Sequence, residues 1–373
     1  MGHGKCPVAW SVLLLWRAFC RWPRKTAPLI EKSAPNPNDR AVARWLLVIC
    51  GLLFCMVVLG GVTRLTGSGL SMVDWRPVVG WLPPLSDAAW QESFAMYQES
   101  PEFQKVNSDM DVGDYKGIFW LEYLHRLLGR LIGLVFLVPF LVFASRGYIP
   151  FRDWPRYTLM FVLGGLQGIL GWYMVKSGLV DNPHVSQYRL TAHLVAAFAI
   201  YTYIFWVALT LLYPVVEPVR HPAYRRTFWL TLLIAVTIVS GGFVAGLKAG
   251  SIYNTFPMMG DHWIPPGLTA LEPLWRNLTE NMTTVQFDHR LLAISTFVLI
   301  VIYWLVARKT ELPPRARVAT NALLHTAILQ VALGITALLL AVPVLLGAAH
   351  QAVAMLLLTV ALYLLHNLRK VPI

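Results

Sequence analysis

Charge is scarce in this sequence: Asp, Glu, Lys and Arg supply only 13% of the 373 residues, while apolar and aromatic types supply 57%. A soluble domain draws roughly a quarter of its residues from the charged types, so this chain cannot cover a water-facing surface in the ordinary way. Acidic residues are the scarcer sign, 19 against 31 Lys plus Arg, giving a net charge of +12. In a soluble chain that excess would point to nucleic acid. Here the cations stand in short segments between apolar runs, where they report orientation in a membrane, and nucleic acid is excluded as a partner. Cysteine is scarce as well. Cys6, Cys20, Cys50 and Cys55 lack zinc-type spacing, and the last two occupy different faces of one apolar run, which excludes a structural zinc site and argues against a disulfide framework. Residues 63–116 contain no cysteine at all.

What the chain has instead is eight apolar runs, at about 43–62, 117–143, 157–175, 190–212, 227–247, 285–306, 319–341 and 346–366, each near the ~20 residues needed to cross a bilayer. Lipid offers no partner to backbone N–H and C=O groups, so these runs are expected to be helices, and the chain an all-α integral membrane protein. Lys and Arg outside the runs gather on the side of the amino terminus, which puts both termini on the cytoplasmic face or its mitochondrial equivalent. Residues 1–42 form a basic extension whose short apolar patch, Val8 to Trp16, is too brief to span. Its lack of serine enrichment favours a plain basic bacterial extension over a mitochondrial presequence. The long outer segment 63–116 carries eight Asp or Glu, and within it Ser86 is placed to cap a short amphipathic helix that sets Trp90, Phe94 and Tyr97 on one face, as a lid over the spans or a plain surface helix. The second long outer segment, 248–285, is rich in Pro and aromatics and holds sequons at Asn277 and Asn281.

The runs repeat. Gly60-Gly61-Val62 in span one resembles Gly241-Gly242-Phe243 in span five, and His125-Arg126-Leu127-Leu128 in span two returns as His289-Arg290-Leu291-Leu292 in span six. Leu166-Gln167 pairs with Leu329-Gln330, and Ala192-His193 with Ala349-His350. The organisation read from this is two pseudo-symmetric four-helix bundles, 43–212 and 227–366, joined by an inner linker 213–226 and followed by a basic tail 367–373.

His125, His193, His289 and His350 each lie near the outer start of an even-numbered span, about 6 to 12 Å deep at 1.5 Å per residue. Two facing helices of one bundle can thus present a histidine each, the pattern of paired axial ligands to a haem iron. The competing reading, four separate interhelical hydrogen bonds, does not explain their equivalent positions. Arg126 and Arg290 follow the two ligand candidates, suited either to haem propionates or to snorkelling toward headgroups. Glycines 60, 61, 164, 165, 168 and 171 are expected to leave room for close helix approach and a flat macrocycle. The asymmetric residue is Glu122. The offset that takes His125 to His289 takes Glu122 to Gln286, so a carboxylate able to act as a base or to stabilise positive charge exists in the first half alone, unless it only pairs with Arg126 or Arg130.

Residues 60–72, the Glu-x-x-His-Arg motif at 122–126, residues 171–179 and Gln286-Phe287-Asp288-His289-Arg290 together resemble the haem A synthase family, in its proteobacterial and mitochondrial branch, from about Arg44 to Pro372. The resemblance implies oxidation of the C8 methyl group of haem O to a formyl group by successive hydroxylations. It implies His125 and His193 at the substrate haem, His289 and His350 on the iron of a resident haem b, and Glu122 as the catalytic carboxylate. Implied partners are haem O, a haem O synthase, terminal oxidase assembly factors and membrane lipid, with a homo-oligomer in keeping. The implied location is the bacterial inner membrane, or the mitochondrial one. The absence of cysteine from 63–116 means that the thiol pair of another branch of the family does not carry over. A two-haem electron-transfer cytochrome also explains the histidines and the repeat, but leaves Glu122 and the long outer segments without a role.

Overall fold

The computed structural model describes residues 36–74, 80–178, 184–214 and 221–369. The first 35 residues of the basic extension, the middle of the inner linker, the end of the tail and the last residue of the 171–179 motif lie outside them. The described helices are α1 (Pro37–Leu65), α2 (Asp87–Gln98), α3 (Pro101–Val106), α4 (Val112–Ser145), α5 (Trp154–Gly178), α6 (Gln187–Leu212), α7 (Tyr224–Leu247), α8 (Asn277–Glu280), α9 (Met282–Ala307), α10 (Pro314–Leu339) and α11 (Val344–Arg369). Eight of these are long and apolar enough to span: α1, α4, α5, α6, α7, α9, α10 and α11. They match the eight predicted runs in order, and no strand occurs among the described residues. The helices overrun the apolar runs because polar caps extend them: Asn36 Oδ1 accepts from the amide of Asn38, Asp111 from that of Asp114, and Asn281 from that of Thr283.

Packing closes the spans into two rings. In the first, α1 touches α4 and α6, and α5 bridges α4 and α6; in the second, α7 touches α9 and α11, and α10 bridges α9 and α11. The rings meet where α1 lies against α11 and α6 against α7. Small residues let these backbones approach. A Cβ at Gly61 would sit 2.6 Å from Gln351 Oε1, and one at Gly246 would sit 2.6 Å from the Gln187 Cβ. Polar groups then fix the contact: Gln351 Nε2 donates to the Val57 carbonyl at 2.7 Å, and an Arg64 Nη donates to the Ala245 carbonyl at 3.0 Å, satisfying an end group of α7.

The outer segment folds as the Ser86 spacing predicts. Ser86 Oγ accepts from the Ala89 amide, and Trp90, Phe94 and Tyr97 of α2 are buried. They pack on Tyr115, Phe119 and Tyr123 of α4, with Trp90 and Phe119 ring centroids 4.9 Å apart and Tyr97 stacked on Tyr115 at 5.1 Å. The 34 residues of α4 reach about 51 Å, well beyond a hydrocarbon core of about 30 Å, so its first turns serve as the lid's platform. In the second outer segment both sequon asparagines are structural: Asn277 is buried and holds Leu271 through both its oxygen and its nitrogen, and Asn281 caps α9.

Candidate functional site

The four histidines share one local construction. Each imidazole rests on a glycine of the preceding span, so that a Cβ added there would crowd Cε1: Gly60 against His125 at 3.0 Å, Gly171 against His193 at 2.9 Å, Gly241 against His289 at 3.1 Å and Gly334 against His350 at 2.9 Å. Only glycine leaves a seat of this depth. Gly164, Gly165 and Gly168, expected to serve close packing, instead have nothing within 4 Å of an added Cβ. Replacing Gly171 with Ala is therefore expected to displace His193 at an overpacking cost of about 1–3 kcal/mol, while Gly168→Ala should be silent. Haem content of the two purified variants checks this; equal content would contradict the seat.

The rings pair within each half. His125 on α4 and His193 on α6 belong to the first ring, and His289 on α9 and His350 on α11 to the second. Nδ1 of His125, His193 and His350 is buried without a hydrogen-bond partner, as are Oε1 of Gln167 and of Gln330. Orphaned buried polar atoms cost about 1–3 kcal/mol each, a cost native interiors avoid unless function requires it. Gln167 Nε2 donates to the His193 carbonyl at 2.8 Å, whereas Gln330 Nε2 stands 3.3 Å from His350 Nε2 itself. His289 differs from the other three in that its Nδ1 lies 2.8 Å from Ser240 Oγ. His221, His325 and His366 lie outside this set and bond to the Glu311 carbonyl, the Asn321 carbonyl and Thr210.

Glu122 is buried beside the turn that follows α1. Its Oε2 accepts from Ser71 Oγ at 2.7 Å and from the Met72 amide at 2.8 Å, and its Oε1 pairs with Arg126 Nη2 at 2.5 Å. Arg126 reaches on to the Met72 carbonyl at 3.0 Å. The second half ties helix to loop in the opposite sense and without a carboxylate: Gln286 Nε2 and Arg290 Nη2 both donate to the Tyr253 carbonyl, at 3.1 and 2.8 Å. Both arginines thus bind loop backbone, and Glu122 carries an ion pair that its counterpart lacks. Sequence reasoning named Glu122, Arg126 and Arg290 but missed Ser71, Met72 and Ser240, since a backbone amide fifty positions away leaves no pattern in a sequence.

Above Glu122 the lid holds a second buried carboxyl, Glu102, whose Oε2 accepts from Tyr97 Oη at 3.2 Å. Burial pushes its pKa from the usual 4.5 up to about 7, against the lowering effect of the Tyr97 bond; the Glu122 charge adds to the rise and Lys248 opposes it. The folded lid thus keeps a proton that the unfolded chain releases near 4.5. The resulting stabilisation is complete below that pH and is lost as pH rises through about 7. Amide exchange in residues 87–106 is expected to quicken, beyond the intrinsic pH effect, as pH passes about 7. Glu102→Gln should remove that excess; its persistence would contradict the assignment. A cavity of about 440 Å³ beside the lid, lined by Val73, Asp74, Met96, Glu99, Ser100 and Pro101, contains none of the four histidines.

Comparison with known proteins gives a consistent picture. The cytochrome oxidase assembly protein family (COX15-CtaA) matches residues 43–362. Heme A synthase of Nitrosospira multiformis is 53% identical over 336 residues, covering 89% of this chain and 94% of that protein. Heme A synthase COX15 of Arabidopsis thaliana is 46% identical over 344 residues, 88% of this chain and 75% of that protein. Heme A synthase COX15 of Homo sapiens is 44% identical over 362 residues, 94% of this chain and 87% of that protein.

Proposed function

Because the chain belongs to the cytochrome oxidase assembly protein family (COX15-CtaA), we propose that it is a membrane oxidoreductase that converts haem O to haem A. The observation that carries this reading is the fourfold seat: imidazoles on glycines, paired within each of two closed helix rings. Such imidazole pairs would hold a haem iron, and the unpartnered ring nitrogens and amide oxygens would supply polar contacts for it.

The two rings are read as a fused repeat with divided labour. In the second, His289 and His350 hold the iron of a resident haem b, which when bound supplies one-electron transfer. In the first, His125 and His193 hold the substrate haem, and Glu122 faces the oxidation. With water as the oxygen source, conversion of the C8 methyl to a formyl group through successive hydroxylations consumes one water net and gives up four protons and four electrons, which would leave to an external electron acceptor. Glu122 can take a proton or stabilise developing positive charge, and the donors from Ser71, Met72 and Arg126 hold its carboxylate in place for that task. Arg126 and Arg290, engaged with loop carbonyls, would position the outer turns over each seat and reach propionates only through that arrangement. The lid of α2 and α3 keeps water from the carboxylate's side.

One observation favours a second reading, an electron-transfer cytochrome without bond-making chemistry: Glu122 and Gln286 both tie a helix to its outer turn. The two are separated by product analysis of cells that supply haem O. Formation of haem A supports the enzyme, and recovery of haem O alone with a folded, haem-loaded protein supports the cytochrome. The distribution of Lys and Arg supports both termini on the cytoplasmic side of a bacterial inner membrane, or on the equivalent side of the mitochondrial one.

A further inference from the structure

Ser240 separates the two halves at the level of a single hydrogen bond. Its hydroxyl donates to the Thr237 carbonyl at 2.8 Å, and the same oxygen lies 2.8 Å from His289 Nδ1. A serine hydroxyl has one hydrogen. In the arrangement that gives this hydrogen to the Thr237 carbonyl, the oxygen accepts from His289, which then carries its proton on Nδ1 and leaves Nε2 as the bare nitrogen. The other three imidazoles of the set have no such partner at Nδ1. The counterpart of Ser240 in the first half follows from the offset that takes Gly60 to Gly241: it is Leu59, which offers no acceptor.

We propose that Ser240 is a positioning residue for the resident haem, fixing the tautomer and donor strength of His289 and holding the potential of that haem lower than an unassisted histidine pair would. An imidazole whose Nδ1–H is hydrogen-bonded is a stronger donor, and stronger donation favours ferric over ferrous iron. The second half is thereby a tuned electron carrier, while the first half keeps an untethered His125, consistent with a haem that must arrive and leave. This inference rests on the placement of haem b at His289 and His350.

The test is a redox titration of the purified, haem-loaded protein and its Ser240→Thr and Ser240→Val variants, which differ from each other by a hydroxyl against a methyl group. Thr is expected to match the wild type. Val is expected to raise the midpoint potential; a tenfold loss of ferric relative to ferrous affinity corresponds to about 59 mV for one electron. If Val loads no haem while Thr does, the positioning role is likewise supported. A Val variant that binds haem at the wild-type potential, or a Thr variant shifted as far as Val, overturns the proposal. Failure of the underlying haem placement has a different signature: His289→Ala would leave the low-spin spectrum intact.

Discussion

Glu122→Gln is expected to abolish haem A formation, a loss of at least about a hundredfold, while the resident haem b stays bound at wild-type level. The amide can still accept from Ser71 Oγ and the Met72 amide through its oxygen, so the turn after α1 keeps two of its ties. What it loses is the ion pair, because an amide nitrogen would meet the Arg126 guanidinium donor to donor. Gln286 ties its helix to the outer turn in the opposite sense, donating to the Tyr253 carbonyl, so the fold of the variant is to be checked directly. A folded variant without product therefore points to chemistry and not to collapse. Product at the wild-type yield would remove Glu122 from the reaction and leave it a structural residue.

His289→Ala and His350→Ala are each expected to remove the low-spin haem b absorption from the purified protein. His125→Ala and His193→Ala should spare that absorption and block product. The separation rests on the pairing, His125 with His193 in one ring and His289 with His350 in the other. Each alanine also empties the space over a seat glycine, so stability must be followed in parallel; losing a buried side chain of this size costs about 2–5 kcal/mol. A spectrum that survives both second-half substitutions would contradict the assignment of halves. A spectrum lost in all four variants, with the proteins folded, would mean that the two sites do not load independently.

Much of the fold was legible because lipid imposes its rules on sequence directly. The eight apolar runs follow from bilayer thickness and their poverty in charge from its cost in lipid, and both left a pattern. The Ser86 cap and the Trp90, Phe94 and Tyr97 face were legible for the same reason that any amphipathic helix is. The functional detail was less visible. Glycines at 60 and 171 could be noted, but nothing in the sequence separated them as histidine seats from Gly164, Gly165 and Gly168, which face open space. Arg126 and Arg290 read as propionate ligands or snorkelling side chains, whereas both donate to carbonyls of the outer turns, a choice set by tertiary proximity. Ser240 sits one position before the Gly241-Gly242 pair, inside the motif that revealed the repeat, yet its meaning depends on where its single hydrogen goes.

The central claim, that the chain oxidises haem O with a carboxylate in one half and an electron-carrying haem in the other, is tested most directly by extracting haems from cells that co-express it with a haem O synthase and measuring their masses. Wild-type chain is expected to yield haem A. Glu122→Gln is expected to yield haem O and haem B only, from a protein that retains its haem b spectrum. Haem O and haem B alone from cells expressing the wild-type chain, folded, loaded and supplied with an electron acceptor, would contradict it.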